Sequence, residues 1–251
     1  MIYIFSDVHL RTETQPWEII FLDTLQSCLN DPKTTQVVLL GDILDVCVGD
    51  RYPWHTIYKR FFSIIHATTV PILYAEGNHD FKLKSLFQAP HIRCFERTLE
   101  VKWGDQRVFL SHGDWINRQD KLYLTLRTLF RSSGVQFLLR MIPFSIGIRV
   151  MRQLSRYSRT PNIAHMPHHP QLRQIFAEFA RHKWAEGFSC VALGHSHMFE
   201  HRETSSGTYL NCGFWPRDLA YFQITPNPWT VTLHTASFKP TLSPTSAKRP
   251  D

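Results

Sequence analysis

Five short polar segments constrain the fold of this chain more than any other feature. The 251-residue sequence starts with an apolar run that ends in Asp-Val-His, and similar segments return four more times. Four of the five follow a β-branched or leucine-rich run, which is typical of a buried strand that ends at polar residues. The segments are SDVH at 6–9, LLGDILD at 39–45, EGNHD at 76–80, LSHGD at 110–114 and ALGHSH at 192–197. We expect these strand ends to meet in one crevice.

Seven side chains in these segments carry the donor atoms of a metal centre. They are Asp7, His9, Asp42, Asn78, His112, His195 and His197. Carboxylate, amide and imidazole donors without a thiolate suit Mn, Fe or Zn. Seven ligands are too many for one ion that keeps an open position, but they fit two divalent ions that share Asp42. Such a pair activates water and neutralises charge on phosphoryl oxygens, so the expected reaction is hydrolysis of a phosphoester or phosphoanhydride.

Each segment also allows a simpler interpretation when it is taken alone. Asp7 would then cap a strand end, His112 would be a hydrogen-bonded core histidine, and the histidines of 192–197 would lie in a solvated loop. Because all the segments occur together and in order, a metal centre is the favoured interpretation.

The order D-x-H, G-D, G-N-H-D, H and G-H-x-H resembles the pattern of the calcineurin-like metallophosphoesterase superfamily. The resemblance implies a metal-dependent phosphohydrolase of the α/β (α+β) class, with a four-layer αββα sandwich. It implies that His79 is catalytic, because the matching residue meets a phosphoryl oxygen or protonates the leaving group. Asp80 is expected to hold the His79 imidazole, and Asp45 is expected to orient a ligand rather than to bind metal.

The periodicity of the chain predicts the same layered arrangement. Apolar residues recur at helical spacing behind Pro16, over 54–67 and over 170–186. Strands alternate with helices in the first half and hairpins follow in the second, which favours a two-sheet core with outer helices. We expect one domain over 1–237, with a helical insertion at about 119–165 and a disordered tail over 238–251.

Composition limits the partners and the compartment. A net charge of +7 and a pI near 9.3 admit nucleic acid, an anionic membrane surface or a phosphorylated substrate. The five cysteines are scattered and form no C-x-x-C pair, which is typical of a reducing compartment and predicts a cytoplasmic protein. No run of about 18 uncharged apolar residues occurs, so no transmembrane helix is expected.

The insertion concentrates the positive charge. Residues 121–160 contain no acidic residue, and their basic residues alternate with apolar ones at helical spacing, interrupted by Gly134 and Pro143. The basic residues are Lys121, Arg127, Arg131, Arg140, Arg149, Arg152, Arg156 and Arg159.

Two or three short amphipathic helices are expected in the insertion, and an apolar face bordered by arginine suits anionic lipid or the covering of acyl chains. In the alternative, the apolar side docks on the core and the arginines are solvated. The aromatics fall among aliphatic residues, which disfavours a nucleic-acid groove, and no protein partner is indicated.

SDVHL, GDILDVCVG and HGD followed by D-x-x-Y are similar to the UDP-2,3-diacylglucosamine hydrolase family of lipid A biosynthesis, over roughly residues 1–235. The resemblance implies hydrolysis of the pyrophosphate bond to UMP and 2,3-diacylglucosamine 1-phosphate (lipid X). It also implies a peripheral position on the cytoplasmic face of the inner membrane, and it favours Mn²⁺. The implied substrate contacts are Asn78, His79, Asp120, Ser158, Asn162 and His195.

Two positions depart from that family. His79 stands where the family has arginine, and His165 stands where it has a substrate-binding lysine. A neutral imidazole replaces a permanent cation beside a diphosphate only in part. Another nucleotide, a cyclic nucleotide or a phospholipid-like substrate is therefore an alternative, and a non-catalytic scaffold is a third hypothesis.

Overall fold

Two mixed β-sheets form the centre of the protein. A computed structural model describes residues 1–50, 53–143, 146–147, 149, 153 and 170–237. The first sheet contains Ile2–Phe5 (β1), Gln36–Leu39 (β2), Ile72–Ala75 (β4), Ile92–Phe95 (β6), Ala220–Pro226 (β12) and Trp229–Thr235 (β13), in the order β13-β12-β1-β2-β4-β6. The second contains Leu99–Trp103 (β7), Gln106–Ser111 (β8), Cys190–Leu193 (β9), Phe199–Thr204 (β10) and Gly207–Cys212 (β11), in the order β10-β11-β9-β8-β7. Cys47–Val48 (β3) pairs with Asp80–Phe81 (β5).

Helices cover the outer face of each sheet. The helices with named bounds are Pro16–Asn30 (α1), Trp54–Ile57 (α2), Lys59–Ala67 (α3), Lys121–Arg131 (α4), Ser133–Met141 (α5), Pro170–Ala185 (α6) and Trp215–Asp218 (α7). Side chains of α1 and α3, including Phe21 and Phe61, pack with Phe5 on the first sheet. Phe176 of α6 packs with Phe109 on the second. The order helix, sheet, sheet, helix confirms the predicted αββα sandwich.

The alternation of side chains along β1 explains why both of its faces are apolar. Successive residues of a strand point to opposite sides of the sheet. Phe5 therefore faces the helices, while Ile4 joins Val38 and Leu110 in the core between the sheets. Both faces of the first sheet are covered here, one by helices and one by the second sheet. The strands β1, β2 and β4 are therefore buried and show no alternation of polar and apolar residues.

Parallel pairing places the functional segments at the same edge. β1 pairs in parallel with β2, and β2 with β4. In the second sheet, β8 pairs in parallel with β9. The carboxyl ends of these strands point the same way within each sheet, so the polar residues that follow them are brought together.

Two helix boundaries differ from the sequence-based expectation. The single helix expected over 54–67 is interrupted at Tyr58, whose buried hydroxyl accepts from the N–H of Val46 at 3.2 Å and donates to the Val46 carbonyl at 2.9 Å. Gly134 does not interrupt the insertion, because it lies inside α5. The break falls at Ser132, which has extended backbone and whose hydroxyl accepts from the N–H of Val135 at 3.4 Å, as a helix N-cap does.

Several expectations extend beyond the described ranges. Within those ranges, no helix is both long and apolar enough to cross a bilayer. The five cysteines are free. The expected tail at 238–251 lies outside the described residues, as do Arg152, Arg156 and Arg159 of the insertion. The domain limits stay a prediction.

Candidate metal centre

All seven side chains predicted as metal ligands lie in one cluster at the strand ends. Asp7 and His9 follow β1, Asp42 follows β2, and Asn78 follows β4. From the second sheet, His112 follows β8 and both histidines of 192–197 follow β9. The cluster therefore lies at the mouth of the crevice between the sheets.

The first half of the cluster, called the first group below, is formed by Asp7, His9, Asp42 and His197. One potential ligand atom from each lies within 4.8 Å of the others. The Nε2 atoms of His9 and His197 are 3.3 Å apart, and His197 Nε2 is 3.4 Å from Asp7 Oδ1. Two imidazole nitrogens that face each other next to two carboxylates match the donor set and spacing of a divalent cation site.

The second half of the cluster, called the second group below, is formed by Asp42, Asn78, His112 and His195. It shares Asp42 with the first group. His112 Nε2 is 3.5 Å from Asp42 Oδ2 and 3.3 Å from Asn78 Oδ1. His195 Nδ1 is 3.0 Å from the same amide oxygen. On its other side, His112 has Nδ1 at 2.8 Å from the Leu40 carbonyl, so the bond to the backbone fixes the ring and leaves Nε2 directed into the cluster.

The backbone of the cluster is strained. Asp7, His9, Asp42, His195 and His197 all have positive φ angles, between 52° and 65°. Non-glycine residues adopt this left-handed region uncommonly, at a cost of order 1–3 kcal/mol each. Such strain persists only where the surrounding structure imposes it, and it concentrates at functional sites. The strain supports the view that these five residues are held for chemistry rather than for stability.

Two glycines of the motifs are required by close packing. A Cβ atom at Gly77 would lie 2.1 Å from Asp42 Oδ1, and one at Gly194 would lie 2.8 Å from Asp7 Oδ2. Both glycines thus let the backbone approach a buried carboxylate. The backbone N–H of His195, next to Gly194, lies 3.0 Å from Asp7 Oδ1 and donates to it.

The charges of the cluster favour a bound cation. Asp7 and Asp42 are 0% and 1% exposed, and among the described residues no lysine or arginine pairs with either. Burial opposes a charge on His112, but the neighbouring Asp42 outweighs it and raises the pKa of His112 to about 10. Burial and His112 together lower the pKa of His195 to about 4. Buried carboxylates that draw a proton onto a buried imidazole fit a site that cations neutralise.

His79 lies at the edge of the first group, where it is supported by Asp45. His79 Nδ1 is 2.9 Å from the main-chain carbonyl of Asp45, and His79 Nε2 is 4.0 Å from Asp42 Oδ2. The Asp45 carboxylate lies 3.6 Å from His9 Nδ1. This position beside both rings suits the orienting role expected for Asp45.

The expectation that Asp80 holds the His79 imidazole is wrong. The buried Asp80 carboxylate instead accepts hydrogen bonds from five donors: the backbone N–H groups of Asp42, Ile43, Leu44 and Gly77, and the hydroxyl of Tyr74. Because four backbone N–H groups and the Tyr74 hydroxyl donate to it, the Asp80 carboxylate joins the loop of Asp42 to the loop of Asn78.

The substrate contacts implied by the resemblance are placed in part. Asn78, His79 and His195 lie in the cluster. Asp120 is the N-cap of α4, and its side chain accepts from the N–H of Tyr123 at 2.9 Å. Ser158 and Asn162 lie outside the described residues, as does His165.

The structure adds neighbours that sequence reasoning missed. The ring of Phe214 stacks on His197 at 4.7 Å between centroids, and no motif pointed to it. The ring of Tyr123 lies 5.7 Å from that of His195, and the D-x-x-Y pattern was its only signal. Arg127 and Arg131 both point inward, whereas the sequence pattern predicts them at the border of an exposed face.

The fold and the strand-end cluster define a phosphohydrolase of the calcineurin-like class. The model of the calcineurin-like phosphoesterase family matches residues 1–199, and the chain belongs to this family.

Three similar curated proteins are named UDP-2,3-diacylglucosamine hydrolase. The protein of Actinobacillus succinogenes is 24% identical over 89% of this chain and 95% of its own length. That of Haemophilus influenzae (strain PittGG) is 23% identical over 87% and 92%. That of Pseudomonas putida (strain KT2440) is 28% identical over 64% and 67%.

The saturated Asp80 carboxylate generates a test of the loop geometry. In Asp80→Asn, an amide N–H₂ would face backbone N–H donors, so we expect the free energy of unfolding to fall by about 3 kcal/mol. Tyr74→Phe is the matched control, because it removes one of the five donors and leaves the carboxylate; its expected cost is about 1 kcal/mol. Urea denaturation followed by tryptophan fluorescence measures both. Equal stability of the two variants would contradict the assigned role.

Proposed function

We propose that this chain hydrolyses the pyrophosphate bond of UDP-2,3-diacylglucosamine, releasing UMP and 2,3-diacylglucosamine 1-phosphate. The observation that carries the chemistry is that Asp42 belongs to two overlapping groups of candidate ligands. The substrate is supported by relatives of that name, the longest matches covering about nine-tenths of this chain.

The proposed metal sites follow the two halves of the cluster. Asp7, His9, Asp42 and His197 would hold one divalent ion, and Asp42, Asn78, His112 and His195 would hold the other. The resemblance favours Mn²⁺, and the same donors suit Fe or Zn. A pair of bound ions supplies an activated water and neutralises charge on the phosphoryl oxygens.

The residues of the chain position the substrate around this centre. His79 is the proposed catalytic residue. Its Nδ1 lies at hydrogen-bond distance from the Asp45 carbonyl, which directs Nε2 toward the cluster. In that position it can stabilise charge on the diphosphate or donate a proton to the departing sugar phosphate as the bond to the α-phosphorus breaks. Asn78, His195 and the N-cap residue Asp120 are proposed to contact the sugar diphosphate.

The insertion suits an acylated substrate at a membrane surface. Leu122, Phe137, Leu138 and Met141 on α4 and α5 are 73%, 63%, 62% and 71% exposed. Apolar side chains with this exposure are costly in water and favour contact with acyl chains or a bilayer interface. We therefore propose a peripheral location on the cytoplasmic face of the inner membrane, with the insertion facing the lipid.

The substrate is tested directly with purified protein, Mn²⁺ and detergent. UDP-2,3-diacylglucosamine should yield UMP and 2,3-diacylglucosamine 1-phosphate, identified by mass spectrometry, and Asp42→Ala should abolish the reaction. Hydrolysis of bis(p-nitrophenyl) phosphate without cleavage of the UDP-sugar lipid would keep the metal chemistry and reject the substrate.

A second experiment separates His79 from the ligands. His79→Ala should lower kcat by about 100-fold, within the range for loss of a general acid, and should keep the metal content of the wild-type protein. Asp42→Ala should lose metal as well as activity. Elemental analysis of both variants after identical gel filtration measures the content. An equal loss of metal would mean that His79 acts as a ligand.

The exposed apolar residues predict membrane binding. Replacing Phe137 and Leu138 together by serine should weaken binding to vesicles of anionic phospholipid at least tenfold, because burial of each side chain contributes about 2 kcal/mol. Turnover of a small water-soluble diester should be unchanged. Leu233→Ser is the matched control, since Leu233 is 40% exposed on β13, away from the insertion. Vesicle flotation that does not distinguish the two variants would argue against a lipid-facing insertion.

A further inference from the structure

One face of α4 contacts the three segments that carry the second group of candidate ligands. Tyr123, Arg127 and Arg131 are spaced four residues apart, so they lie on the same side of the helix. The ring of Tyr123 is beside His195, the guanidinium of Arg127 contacts Asp114 two residues after His112, and Arg131 reaches the residues just before Asn78. The helix thus lies across the second group.

Arg131 has the most extensive of these contacts. Its side chain is 6% exposed, and its Nη1 donates to Glu76 Oε2 at 2.8 Å. Its Nη2 donates to the Gly77 carbonyl at 2.7 Å, and its guanidinium carbon lies 4.9 Å from the centre of the Phe81 ring. The acceptor is the carbonyl of the peptide bond that leads into Asn78, so Arg131 fixes that peptide, while Asp80 accepts from the N–H of Gly77 in the preceding one.

The partners of Arg131 are themselves held in place. Glu76 is buried, and its Oε1 accepts from the N–H of Leu83 at 2.8 Å. The exposed Glu96 adds a weaker contact at 3.3 Å to Arg131 Nη1. A planar guanidinium with two buried acceptors has little freedom to move, which makes it suited to hold a loop at a fixed distance.

The apolar side chains of α4 do not serve this purpose. Leu122, Leu126, Leu129 and Phe130 are exposed. Within the described residues, the contacts that attach α4 to the catalytic core are therefore mainly polar, through Asp114, Glu76 and Gly77.

We infer that Arg131 is a positioning residue for the second ion: through Glu76 and the Gly77 carbonyl, it holds Asn78 where its amide oxygen can complete the group with His112 and His195. The inference rests on the proposed function in one respect, the assignment of Asn78 as a ligand. Residues that support a ligand in this way typically contribute 10- to 100-fold to metal affinity. Loss of Arg131 should therefore lower the affinity for the second ion at least tenfold and leave the affinity for the first ion unchanged.

The experiment separates positioning from general stability with two variants. Arg131→Met leaves Glu76 as a buried, unpaired carboxylate, which is destabilising in itself. Arg131→Met combined with Glu76→Gln removes both charges and keeps an acceptor for the N–H of Leu83, so its melting temperature should recover toward wild type. The donor to the Gly77 carbonyl is still missing. Arg60→Met is the matched control, because Arg60 pairs with Asp23 on the outer helices.

Binding of Mn²⁺ is measured by calorimetry and by the electron paramagnetic resonance signal of the coupled ion pair, at a temperature where all variants are folded. We expect the double variant to bind the first ion normally, to bind the second at least tenfold more weakly and to lose the coupled signal at stoichiometric metal. Arg60→Met should match wild type. Wild-type affinity for both ions in the double variant would overturn the inference, as would an equal weakening of both sites.

The titration involves no substrate, so its result is independent of the identity of the lipid. If the wild-type protein binds two ions but does not cleave UDP-2,3-diacylglucosamine, the proposed substrate is rejected. The titration of the variants would still decide the role of Arg131. A wild-type protein that binds fewer than two ions would overturn the inference itself.

Discussion

The carboxylate of Asp42, buried between the ends of strands from both sheets, is the contact on which the rest of the site depends. It lies within reach of imidazoles from the first and second groups, and its Oδ1 accepts from the N–H of His79 at 2.9 Å. A charge buried in this way is stable only if other groups neutralise it. The histidines supply part of that neutralisation, and the clustered side chains form candidate groups for divalent metal ions that would supply the remainder.

The backbone around Asp42 is strained and closely packed where it brings these residues together. Five of the seven clustered residues have left-handed backbone, and Gly77 and Gly194 leave no room for a side chain. Asp80 compensates by binding four backbone N–H groups from two loops. The motif G-N-H-D therefore combines three different requirements: close approach at Gly77, donor atoms at Asn78 and His79, and a buried anchor at Asp80.

The insertion shows how a helix can attach through its charged side. Arg127 and Arg131 point toward the core, and the leucines of α4 are exposed. This orientation leaves apolar side chains exposed and uses arginine to bind the loops of the proposed second metal site. The alternative in which the apolar side docks on the core is thereby wrong for α4.

The sequence by itself determined which residues follow the strand ends, the two-sheet core and most elements, because strand runs, helical spacing and the order of the five segments depend on local pattern. It did not determine which way α4 turns, since Arg131 meets Glu76 55 positions away in the chain. It also misassigned Asp80, whose neighbours come from the loop of Asp42, and it placed a helix across Tyr58. Burial and long-range hydrogen bonds decide these features, and they exist only once the sheets have assembled.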